Sequence, residues 1–68
     1  MMLFEVPGMR CGHCKGSVEK AIRSVDDLAE VRVNLDERRV AVTSATASSD
    51  QIEDALRSSG YPASLVDP

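Results

Sequence analysis

Apolar residues recur along this chain with two different periods, and the order in which those periods follow one another restricts the fold more than any other feature. Met2, Phe4 and Val6 fall on one side of a period-two segment with Leu3 and Glu5 on the other, the pattern of a strand with one buried face, and Pro7-Gly8 stops it. From Cys14 to about Val25 the spacing changes. Val18, Ala21, Ile22 and Val25 repeat at three and four, with Glu19, Lys20 and Arg23 opposite, as an amphipathic helix requires. Asp26-Asp27 breaks that pattern, and Leu28 to Leu35 returns to alternation with Val31, Val33 and Leu35 facing inward. The polar turn Asp36-Glu37-Arg38 then leads into Arg39 to Thr43, where Val40 and Val42 point inward, so the two strands are expected to form an antiparallel hairpin. After the small-residue loop Ser44 to Ser49, Ser48 reads as a helix cap with Gln51 as its capping-box partner, ahead of the stripe Ile52, Ala55 and Leu56. Gly60 supplies the stop. Tyr61 to Val66 is one last short strand, interrupted by Pro62 and therefore expected at a sheet edge.

The predicted order is β-α-β-β-α-β. Its compact solution is an α+β, ferredoxin-like sandwich: a four-stranded antiparallel sheet with both helices on one face. That arrangement puts the start of the first helix at one end of the sheet, with the loop ahead of the last strand as its neighbour, so Tyr61 is expected to approach Cys11 and Cys14. Residues 1–68 are read as a single domain, because a core of this size cannot be divided. With 43% apolar and 28% charged residues the chain should fold. A net charge of −3, basic residues that read as dispersed, and two aromatics offer neither a phosphate-tracking stripe nor a base-stacking platform, so no nucleic-acid partner is expected. The chain shows no basic leader and no apolar run approaching the ~20 residues of a membrane span. It reads as soluble and cytoplasmic, without direct membrane insertion.

Cys11 and Cys14, the only cysteines, lie three residues apart just before the first helix. At that spacing two sulfurs can point at one place, to share a soft metal ion or to close a disulfide. A reducing cytosol favours metal binding or redox chemistry over a structural bridge. One histidine and scattered carboxylates make no catalytic pair or triad, so the chain is not expected to be an enzyme.

The stretch Gly8-Met9-Arg10-Cys11-Gly12-His13-Cys14 resembles the Gly-Met-x-Cys-x-x-Cys signature of the heavy-metal-associated domain family of copper chaperones and P1B-type ATPase metal-binding domains. The likeness continues through Phe4-x-Val6, Val18-Glu19 with Ala21, Val31-x-Val33-x-Leu35, Val40-x-Val42 and Gly60-Tyr61-x-Ala63. His13 between the cysteines and Tyr61 after Gly60 resemble the bacterial CopZ-like copper chaperones. The resemblance implies Cu(I) bound by Cys11 and Cys14 and passed by thiolate exchange to a P1B-type copper-transporting ATPase. A copper-responsive regulator is an alternative receiver, and a metal-bridged homodimer an alternative state. The residues alone leave open Ag(I), Hg(II) or Zn(II) as cargo, and a domain detached from an ATPase or mercuric reductase. Cys11-Gly12-His13-Cys14-Lys15 also matches the active-site string of protein disulfide isomerases. A thioredoxin-type domain, however, needs roughly 100 residues and, in that family, an aromatic residue before the first cysteine, where this chain has Met9-Arg10.

Around the pair, Gly12 is read either as an ordinary turn glycine or as one that lets the backbone pass close to the ion. His13 is either a third ligand or a solvent-facing neighbour, the second being preferred because it lies between two inward-pointing cysteines. Met9 carries a thioether that could suit Cu(I), but the resemblance implies a residue turned into the core, where it anchors the loop. Tyr61 combines a packed ring with a hydroxyl near the thiols. Arg10 and Lys15 are expected to add to the helix dipole in lowering the thiol pKa values. Arg10, Lys15 and Lys20 are candidates for docking.

Overall fold

The computed structural model describes residues 1–67. The elements run β1 (Met2–Glu5), α1 (Gly12–Val25), β2 (Glu30–Asn34), β3 (Arg39–Thr43), α2 (Ser49–Ser58) and β4 (Ser64–Asp67). The strands form one antiparallel sheet in the order β2-β3-β1-β4, so β1 is central and β4 lies at an edge, where a nearby proline costs no ladder bond.

Register explains why this order is stable. Val33, Val40, Phe4 and Leu65 lie side by side across all four strands, and Val31, Val42 and Met2 form the next row. Because side chains alternate along each strand, these rows share one face. Val18 and Ile22 of α1 and Ile52 and Leu56 of α2 close over that face, joining Phe4, Val6, Met9, Val40 and Val42 in one fully buried cluster. Each such side chain contributes about 1.5–3 kcal/mol on leaving water, and no buried polar side chain lacks a partner among the described residues.

Capping sets the helix boundaries. Ser48 accepts from the Gln51 N–H at 3.2 Å while the Gln51 side chain accepts from the Ser48 N–H at 2.9 Å, a complete capping box. At the other end of α2, Gly60 adopts φ +89. Its N–H donates to the Arg57 carbonyl at 3.1 Å and the Tyr61 N–H to the Leu56 carbonyl at 2.9 Å, the paired bonds of a Schellman motif.

Several boundaries differ from the sequence expectation. Helix α1 starts at Gly12, not Cys14, because Cys11 takes the capping position with extended backbone, and its carbonyl already accepts from Lys15. β1 ends at Glu5; Val6 is buried beyond it, its N–H donating to the Arg38 carbonyl at 2.8 Å. β2 begins at Glu30, since the Asp26 carboxylate accepts from the Leu28 N–H at 3.1 Å and holds Leu28 in a turn, 88% exposed. Pro62 lies ahead of β4, which begins only at Ser64. Among the described residues no helix is long and apolar enough to cross a membrane.

Candidate metal centre

The first turn of α1 brings the two cysteines together. With Cys11 at the cap and Cys14 three residues on, helical geometry turns both side chains to the same end of the helix. The Cys14 N–H donates to Cys11 Sγ at 3.4 Å and the two sulfurs stand 2.8 Å apart. This exceeds the ~2.05 Å of a disulfide, and both residues are free cysteines. Cys11 is exposed; Cys14 is half-buried and packs against the core. No carboxylate occupies the first turn, which leaves the positive end of the helix to a thiolate.

The Cys14 thiol is lowered to about 6. The largest cause is the side chain of Cys11, since a proton held between the sulfurs stabilises the Cys14 anion; the Tyr61 hydroxyl follows, then the Arg10 backbone, against a desolvation cost. The influence of Arg10 on Cys14 comes through its main chain. The Arg10 and Lys15 side chains are exposed, where water screens them.

Tyr61 is half-buried and faces the pair from the end of α2. Its hydroxyl lies between the influence of Cys14, which raises its pKa as the largest cause, and that of Ser17, which lowers it. The ring passes Gly8 closely, with Cδ1 3.9 Å from where a Gly8 Cβ would stand. Met9 is fully buried, its N–H donating to the Val6 carbonyl at 3.0 Å. It anchors the loop below the sulfurs. His13 is exposed on the second residue of α1 and lines a shallow groove with Gly12, Gly16, Ser17 and Lys20, running along the helix. Among the described residues no three His, Cys, Asp or Glu side chains converge as a metal-binding group.

Gly12 differs from its reading as a turn glycine. It is the first residue of α1, lacks a left-handed φ, and a Cβ there would meet nothing within 4 Å. Sequence reasoning also missed Ser17, three residues after Cys14 on the Tyr61 side, and missed the capping role of Cys11, because a thiol is a weaker acceptor than the usual caps.

These features define a small α+β domain that presents two thiols, one already inclined to ionise, at the tip of a helix. The chain belongs to the heavy-metal-associated domain family, whose model matches residues 3–62. The copper chaperone CopZ of Staphylococcus aureus (strain MRSA252) is 36% identical over 61 residues, covering 87% of this chain and 90% of that protein. A solved gold-binding protein superposes with a TM-score of 0.91 at 35% identity, covering 97% of this chain and 100% of that one. The copper chaperone Atx1 from Synechocystis PCC6803 superposes at 0.89 with 33% identity, covering 94% of this chain and all of its own.

Proposed function

We propose that this protein is a Cu(I) chaperone, without turnover of its own, in which Cys11 and Cys14 hold the ion and surrender it by thiolate exchange. The observation that carries this reading is the pair of sulfurs 2.8 Å apart, one exposed at the helix cap and the other on a thiol lowered to about 6. Soft thiolates suit Cu(I) and need supply only two bonds. An incoming thiolate from a partner adds a third sulfur to the ion, one original Cu–S bond breaks, and the released cysteine takes up a proton; no electron moves. Exposure of Cys11 gives the incoming sulfur its path. The receiver we infer is the cysteine pair of a P1B-type copper-transporting ATPase, with a copper-responsive regulator as the second choice. Relatives named for copper and gold support a coinage-metal cargo; Zn(II), bound by the similar N-terminal domain of ZntA at 28% identity, takes four ligands in structural sites, two more than this pair of cysteines supplies.

Anaerobic competition titration of Cu(I) against Zn(II) and Hg(II) tests the cargo. Copper should win under a competing chelator, and a zinc preference would overturn the assignment. The disulfide-exchange reading is weakened by the fold, because residues 3–62 match the heavy-metal-associated domain and the chain is shorter than the roughly 100 residues of a thioredoxin-type domain. Reduction of insulin at a rate dependent on Cys11 would restore it.

A further inference from the structure

The two edges of the sheet are not alike. β4 is interrupted, since its register shifts as it passes Leu3 and Phe4 and Pro62 lies just ahead of it, and both devices spoil an edge for further pairing. β2 has neither. Its residues from Glu30 to Asn34 match β3 one to one without a shift and include no proline, glycine or lysine. Among the described residues no strand lies beyond β2, and no group outside the β3 ladder bonds to its main chain.

The side chains of β2 are as open as its backbone. Val31 and Val33 pack against the core yet stay half-buried, whereas Val40 and Val42 on the neighbouring strand are fully buried. On the other side of the sheet Glu30 and Arg32 are exposed, and the residues across from them on β3 are Thr43 and Ala41, which carry no charge. Among the described residues the one side-chain ion pair joins Arg57 to Asp54. Glu30 and Arg32 thus stand on one strand, two residues apart, with opposite charges and no partner for either.

A second copy of the same strand supplies both partners. In an antiparallel pair, residues directly opposite share a face of the sheet, so a two-fold axis between two copies of β2 passes beside one residue of each. Centring on Arg32 sets that side chain against its own copy, and centring on Val33 brings Glu30 towards Asp36. Centring on Val31 sets Glu30 opposite the second copy's Arg32 and Arg32 opposite the second copy's Glu30, with valine against valine on the core side. Opposite charges across a ladder stabilise it and like charges do the reverse, which selects the last register.

We infer that β2 is a strand-addition edge through which two copies of this chain pair antiparallel about Val31, joining their sheets into one. The contact is isologous, so it closes at two copies. Asn34, Arg39 and Glu5 lie side by side at the end of the sheet from which the cysteine loop leaves. Antiparallel pairing of β2 therefore points the two cysteine tips in opposite directions, and the association needs no metal and closes neither site. A single strand of this length buries little surface, which places the dimer among weak contacts below ~1,200 Å².

Sedimentation equilibrium of the apo protein from micromolar to millimolar concentration tests the pairing. The average mass should climb towards that of two chains, and equally so for the Cys11→Ser/Cys14→Ser variant. Arg32→Glu sets carboxylate against carboxylate twice and should weaken dimerisation by roughly tenfold or more. Adding Glu30→Arg to it restores opposite signs and should return the dimer to within about threefold of the parent, a rescue that the register centred on Arg32 does not give. Both positions are exposed, so circular dichroism should match the parent's. Amide exchange along β2 should slow as concentration rises, while that of β4 stays unchanged. A monomer throughout the range would overturn the proposal, as would dimerisation that Arg32→Glu leaves intact or that the double exchange fails to restore. Dimerisation lost in the Cys11→Ser/Cys14→Ser variant would assign it to the thiols and overturn the proposal equally. Copper affinity is untouched by any of these outcomes, so this inference and the chaperone reading fail separately.

Discussion

Tyr61 donates its backbone N–H to the Leu56 carbonyl at 2.9 Å, and through that bond the end of α2 holds a phenol beside a thiol at the start of α1. The two helices are thus coupled at the site by a cap as well as by the core.

Gly60 makes that cap possible at φ +89. Gly60→Ala puts a Cβ in left-handed backbone at a cost of about 1–2 kcal/mol, which should lower the melting temperature by several degrees in a chain of this length. Thermal unfolding followed by circular dichroism checks the size. A melting temperature equal to the parent's would show that the Schellman cap contributes nothing.

Removing only the hydroxyl is a gentler change. Tyr61→Phe keeps the packed ring but loses the second-largest influence lowering Cys14, so the Cys14 pKa should rise from about 6 while remaining below the ordinary thiol value, because Cys11 still acts. Ultraviolet titration of the thiolate reads the shift directly. In the parent, Cys14 is already deprotonated at neutral pH, so its contribution to metal affinity should stay flat there and fall roughly tenfold per pH unit only below about 6.

Cys11→Ser separates stability from cargo. Serine is a preferred helix cap and the cysteine sulfur a weak acceptor at 3.4 Å, so the variant should unfold at higher urea, gaining up to about 1 kcal/mol, while tight Cu(I) binding is lost. Replacing both cysteines with Ser should likewise spare the fold, since the fully buried cluster uses neither. Unfolding of the double variant would mark the site as structural.

Acid sensitivity should come in part from the opposite end of α1. Asp26 accepts from Ser44 Oγ at 2.5 Å and from the Leu28 N–H, and its carboxyl is lowered chiefly by Ser44. A carboxyl lower in the folded than in the unfolded chain adds stability above its unfolded value of about 3.9, lost as pH falls through the folded value. Asp26→Asn should flatten that part of the stability profile. Ser44→Ala should raise the Asp26 pKa and cost on the order of 1 kcal/mol, because Ser44 Oγ also accepts from the Thr46 and Ala47 N–H groups.

Gly16→Ala completes the set. With open space around the new methyl group, it should stabilise α1 by roughly 0.5–1 kcal/mol, measured by urea unfolding of the apo protein. Destabilisation would mean that Gly16 is required by the fold.

Local rules carried most of the architecture. Alternation at Val31, Val33, Val40 and Val42, helical spacing at Val18 and Ile22, the capping box at Ser48 and Gln51, and Gly60 as a stop are all properties of neighbours within a few residues, where backbone geometry and apolar spacing act directly. They determine the elements, their order and the pairing of the cysteines at one helix end. Where local signals competed, the reading slipped: Leu28 looked like strand until the Asp26 carboxylate captured its N–H, and Cys11 does not look like a cap on composition alone.

The properties that tune the candidate site arise from contacts distant along the chain. Tyr61 affects Cys14 across 47 residues of sequence because sheet order and the cap of α2 deliver it there. Asp26 meets Ser44 in the same way, by the packing of connections at one end of the sandwich. Periodicity can announce a helix and its buried stripe, but the pKa of a thiol depends on which groups lie within a few ångströms of it, and that neighbourhood exists only once the whole chain has closed.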